Sequence, residues 1–145
     1  MRKLTLGAFL VLVVSACASI TPMPIRTGEG CAQCRRPINN LHMAAQEVSS
    51  GLASNFHAPG CLANYLVEHP AAQDAALFVA DFPTGKMVDA TKALYVLTVN
   101  RDNGERDFIA FENPEMAKSE AATRSTAPLG WDALLAQARQ GQLGN

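Results

Sequence analysis

The sequence predicts an α+β protein folded as one compact domain, and three observations carry that expectation. Alternating apolar segments around a turn, followed by a helix opening on proline, occur at residues 43–69. The same hairpin-then-helix order returns at residues 94–124, a weak internal repeat. Between them, residues 76–82 form a near-continuous apolar run of the length of a buried strand.

The chain has 145 residues, room for one core and not two. With 48% hydrophobic and 17% charged residues, it can bury a core without disulfides as staples. Its formal net charge is -1. No basic stretch is interleaved with aromatics, which make up only 6% of the chain, so nucleic-acid binding is not expected.

Residues 1–17 read as a secretion leader. Arg2 and Lys3 supply the positive start, and residues 4–14 an apolar run too short to remain comfortably as a spanning helix. The leader ends Val14-Ser15-Ala16-Cys17, which resembles a bacterial lipobox, so Cys17 is expected to become the lipidated N-terminus. That places the protein on the extracytoplasmic side of the envelope, anchored to membrane by its lipid. Ala18, where an aspartate would act as a retention signal, favours the outer membrane if the host has one. Residues 18–30, bearing Pro, Thr and Gly with little periodicity, are expected to be a flexible tether.

Cys31-Ala32-Gln33-Cys34 comes next, and Pro37 argues for a loop there in place of a long helix. Strands are expected over 43–48 and 52–57, joined at Ser49-Ser50-Gly51. Pro59 opens a helix over 59–69 with Leu62, Tyr65 and Leu66 on its apolar face, ended by Pro70. After the strand at 76–82, Pro83-Thr84-Gly85 turns the chain into a short strand at 86–90. Residues 94–100, alternating apolar and polar, pair with 106–111 across the Asn103-Gly104 turn. Asn113 caps a helix over 114–124, and Trp131, Leu134, Leu135 and Ala138 give helical spacing over 131–140.

With Cys17 assigned to lipid, Cys31, Cys34 and Cys61 remain, an odd number for an oxidising compartment. Metal ligation would occupy all three. Soft thiolates select Cu(I), Zn(II) or iron–sulfur clusters, and His57 or His42 can add an imidazole. Cys61 falls in the first turn of its helix, where the positive end of the dipole favours thiolate. His42 and Met43 are adjacent, so in a strand only one of them faces a given site. Other readings stay open at this point: structural Zn(II) with His57 as fourth ligand, a redox-active Cys31/Cys34 pair, or a Cys31–Cys34 disulfide with Cys61 buried as a small hydrophobe. Haem attachment is excluded, because Arg35 stands where CxxCH requires histidine. No Ser–His–Asp order, phosphate loop or HExxH marks an enzyme.

Taken in order, these features resemble the NosL family of periplasmic copper-binding lipoproteins. The resemblance rests on the lipobox Cys17, the Cys31/Cys34 pair and Ala44-Ala45-Gln46. It continues through Phe56-His57-Ala58-Pro59-Gly60-Cys61-Leu62, similar to the family's Phe-Asp-Asp-x-Gly-Cys segment, and Tyr65-Leu66. The run from Phe78 through Asp81-Phe82-Pro83-Thr84-Gly85 to Asp89-Ala90, and then Ala110-Phe111, complete it. It implies two ββαβ-like halves over residues 31–145, a non-catalytic Cu(I) carrier, and a periplasmic copper enzyme as partner, nitrous oxide reductase in that family. Cys34 matches the family's metal cysteine, with Cys31 and Cys61 as partners. Arg35-Arg36 stand where the family has Gly-Met, and the Pro-Met segment of the second half is absent.

Overall fold

The computed structural model describes residues 19–99 and 104–143. The leader with Cys17, and Asn103 of the second hairpin turn, lie outside the described residues. Among the described residues, no helix is long and apolar enough to cross a membrane.

The first half begins with a hairpin, β1 (Ala45–Ser49) and β2 (Leu52–Phe56), paired antiparallel from Ala45↔Phe56 to Ser49↔Leu52. Its turn places Ser50 and Gly51 at φ 51° and 76°, the left-handed pair that two-residue hairpin turns require. Asp74 offsets the cost at Ser50 by accepting hydrogen bonds from the Ser49 and Ser50 hydroxyls and the Ser50 amide. Helix α1 (Pro59–Glu68) follows at once, with Pro59 in its first turn where no amide partner is needed. The chain returns as β3 (Ala76–Ala80), which pairs antiparallel with β1, and turns through Gly85 into β4 (Met87–Asp89). The sheet order is β2-β1-β3-β4.

The second half is the hairpin β5 (Leu94–Val99) and β6 (Arg106–Phe111), then α2 (Pro114–Thr123) and α3 (Trp131–Arg139). The α+β class and the repeated hairpin–helix order therefore hold. In the second half the closing strand is reduced to one bridge, Leu129 to Tyr95, before α3 begins. The two sheets meet where the Phe82 amide donates to the Ala110 carbonyl at 2.8 Å.

The β5–β6 ribbon is buried on both faces, unlike the half-solvated ribbon its alternation suggests. Tyr95, Phe108 and Ala110 face the main core with Phe56, Leu62, Trp131 and Leu134. Val96, Ile109 and Phe111 face a second core closed by Ala117 and Ala121 of α2. Helix α3 lies against α1, so the apolar faces of both cover one side of the ribbon.

The segment expected as a tether is fastened to the domain from Met23 onward. The Met23 amide donates to Gln46 Oε1 at 2.7 Å, and Gln46 Nε2 donates to the Met23 carbonyl and to Asn55 Oδ1. Asn55 Nδ2 reaches Glu29 Oε1 at 2.7 Å, and Ile25 packs on the main core. Gln46 is fully buried, so these bonds satisfy a polar group that would otherwise destabilise the sheet. The strand expected from residue 43 begins instead at Ala45. Residues Leu41–Met43 form a 3-10 turn, because the Asn40 side chain accepts from the His42 amide and caps it.

Candidate metal centre

Cys31 and Cys34 lie in a tight loop closed by a bridge between Gly30 and Pro37. The Cys31 amide donates to the Arg36 carbonyl, and the Arg35 amide returns to the Cys31 carbonyl at 3.0 Å. Closing the loop so tightly puts Arg35 at φ 64°, in the left-handed region that costs a non-glycine residue roughly 1–2 kcal/mol. The Ala32 amide donates to the Asn55 carbonyl of β2, so the loop is pinned beside the strand that leads to His57. His57 is the first residue past β2, and Cys61 lies in the first turn of α1.

These elements bring four donors to one point. The ligand atoms of Cys31, Cys34, His57 and Cys61 all lie within 4.8 Å of one another. His57 Nδ1 is 3.3 Å from Cys34 Sγ and 3.2 Å from Cys61 Sγ. Around a tetrahedral ion with metal–sulfur bonds of about 2.3 Å, neighbouring sulfurs stand roughly 3.8 Å apart, so the donors need only small shifts to close on one. Three sulfurs and one imidazole form a soft donor set suited to Cu(I) or Zn(II). The three thiols are unbridged. Cys31 and Cys61 are buried, whereas Cys34 and His57 are half-buried.

Three crowded thiols and an imidazole shape the electrostatics of the site. The Cys61 thiol draws the Cys31 pKa well down, with His57 assisting against the effect of burial. Cys61 is pushed up in turn, first by the negative Cys31 beside it and then by burial. His57 is raised to about 10 by Asp107 first and then Cys31, with Cys34 adding to the effect. Asp107 lies on the far side of the ring, its Oδ2 3.5 Å from Nε2. Arg36 sits beside Cys34 and pairs through two nitrogens with both oxygens of Glu105, which holds its charge firmly. A cavity of about 310 Å³ opens here, lined by Arg36, Met43, His57, Thr98, Glu105 and Asp107.

Of the expected site residues, His42 is not part of this group. Its Nδ1 lies 2.7 Å from the Phe82 carbonyl and its ring packs against Gly85, where an added Cβ would come within 3.1 Å. In the 3-10 turn His42 and Met43 part company, and Met43 goes to the second core and the cavity wall. The structure adds Asp107, Arg36 and Glu105 to the surroundings of the site. Nothing in local spacing ties Asp107 to a histidine fifty residues earlier; only the approach of β6 to the β2–α1 junction does so.

No known family model matches the chain, and no curated protein is detectably similar to it. What the site itself establishes is a Cys31/Cys34/His57/Cys61 cluster with the donors and spacing to hold a metal ion.

Proposed function

We propose that this protein is a lipid-anchored Cu(I) carrier that delivers the ion to a copper protein on the extracytoplasmic side of the envelope. The observation that supports this reading is the uneven depth of the donors. Cys31 and Cys61 are 0% and 3% exposed, whereas Cys34 and His57 are only half-buried, with His57 in the wall of the 310 Å³ cavity. An acceptor thiol or imidazole entering there can replace the outer two ligands one at a time while the inner two still hold the ion. Two further points agree. The domain buries a core that extends well beyond the four ligands. Arg35 has the left-handed backbone at the position where the resembling family carries glycine.

A second reading is favoured by the donor count. Cys3His is a closed four-ligand set typical of structural Zn(II), which would tie residues 31–34 to the β2–α1 junction for stability alone.

The deciding experiment titrates the reduced protein with Cu(I) against a chromophoric chelator, with Zn(II) in parallel. The carrier reading expects one tight Cu(I), passed on rapidly to an acceptor of higher affinity. Structural Zn(II) sites bind with about 10–16 kcal/mol over four ligands, roughly 3 kcal/mol each, and on that scale Cys34→Ser is expected to lower affinity about a hundredfold. Tight Zn(II) without a Cu(I) preference would establish the structural reading instead. Absence of tight binding, with a Cys31–Cys34 disulfide that cycles reversibly, would point to thiol redox chemistry.

A further inference from the structure

We infer that Asp107 is a positioning residue of the metal centre, holding the His57 ring so that Nδ1 is the nitrogen offered to the metal. This rests on the metal-binding reading above, but not on which metal is bound.

An imidazole ligates through one nitrogen only while the other keeps its proton, and the partner of that second nitrogen decides which is which. At His57 the two nitrogens have opposite surroundings. Nδ1 faces two sulfurs, at 3.3 and 3.2 Å. Nε2 faces Asp107 Oδ2 at 3.5 Å. An ionised carboxylate can only accept, so Nε2–H is retained and the lone pair falls on Nδ1.

Asp107 is itself held in place. Its Oδ1 accepts from the Phe108 amide at 2.8 Å, and it belongs to β6, paired along its length with β5. The first turn of α1 comes up against the same carboxylate, since a Cβ on Gly60 would lie 3.4 Å from Oδ1. Two residues earlier, Glu105 holds Arg36 next to Cys34. The ligands all come from residues 31–61, whereas both carboxylates that brace them come from the second half. The ordinary alternative is a surface ion pair with no bearing on ligation, and the two readings differ in what metal binding would register.

The test loads the reduced, 15N-histidine-labelled protein with 113Cd(II), a probe of thiolate sites. The expected spectrum shows cadmium coupled to His57 Nδ1, with a proton on Nε2. Asp107→Ala should lower Cd(II) affinity roughly 10- to 100-fold and mix the two nitrogens. Asp107→Asn, whose amide oxygen can still accept from Nε2–H, should recover most of the affinity and the Nδ1 coupling. Coupling to Nε2 in the unaltered chain overturns the inference, and this holds even if Asp107→Ala fails to fold. An Asp107→Ala protein matching the unaltered one in affinity and coupling overturns it as well, leaving metal binding intact. If the unaltered chain takes up no Cd(II), the metal-binding reading fails and the inference with it.

Discussion

At the scale of single residues, the metal-free site is a set of protons waiting to be displaced. His57, raised to about 10, is held toward its protonated form at neutral pH, and the Cys31–Cys61 pair gives up its first proton easily and its second with difficulty. A metal must displace the His57 proton and the one the thiol pair retains, so its apparent affinity climbs with pH up to about 10 and beyond. Titration in dilute buffer at neutral pH should release roughly two protons or more per ion, and release near zero would contradict this account. Folding follows the same linkage. His57 has its folded pKa above the unfolded 6.5, so its pairing stabilises fully below 6.5 and is lost as pH rises through about 10. Cys31 runs the other way, since its depressed folded pKa stabilises above the unfolded 9.0 and is lost as pH falls. Between 6.5 and 9.0 the two slopes oppose each other; above 9.0, Cys61 joins His57 in holding protons the unfolded chain has lost. The urea midpoint of the reduced, metal-free protein should therefore stay nearly flat over that window and drop beyond it.

At the scale of elements, the loop carrying Cys31 and Cys34 is strained at one residue, and helix α2 is capped by one. Arg35 is exposed, so its left-handed backbone has no packing reason to be arginine. Arg35→Gly should relieve about 1–2 kcal/mol of backbone strain, offset by about 0.5–1 kcal/mol of glycine entropy. Denaturation should then show a small gain in stability with metal affinity unchanged. Asn113 Oδ1 accepts from the Glu115 and Met116 amides at the start of α2. Asn113→Ala should cost about 1 kcal/mol. Because α2 packs on the face of the ribbon away from the thiols, the same variant should bind metal as before.

For the whole molecule, the site is a joint between separate parts of the fold. Its four ligands tie the N-terminal loop to the β2–α1 junction, and Glu105 and Asp107 carry the contact across to β6. Metal at a thousandfold excess over its Kd should add about 4 kcal/mol to the unfolding free energy. Chelation should reverse that gain while the far-ultraviolet dichroism persists, because the core around Phe56, Leu62, Tyr95 and Leu134 extends well beyond the four ligands. Unfolding on chelation would instead favour structural zinc.

Local chemistry alone determined most of the elements. Proline at helix starts, the Ser-Ser-Gly turn and the apolar run at 76–82 act within a few residues, so α1, α2, α3 and the two hairpins fall within a residue or two of where the sequence places them. The CxxC loop, Cys61 at a helix start and His57 four residues before it were legible for the same reason. Tertiary structure decided the rest. Whether His57 or His42 joins the thiols depends on a 3-10 turn that sends His42 to the Phe82 carbonyl. Burial of both ribbon faces depends on α1, distant in sequence, as well as on the helices that follow the ribbon. Tertiary structure also decides the approach of Asp107 to His57, because side chains separated by fifty residues meet only through packing, which leaves no trace in local spacing.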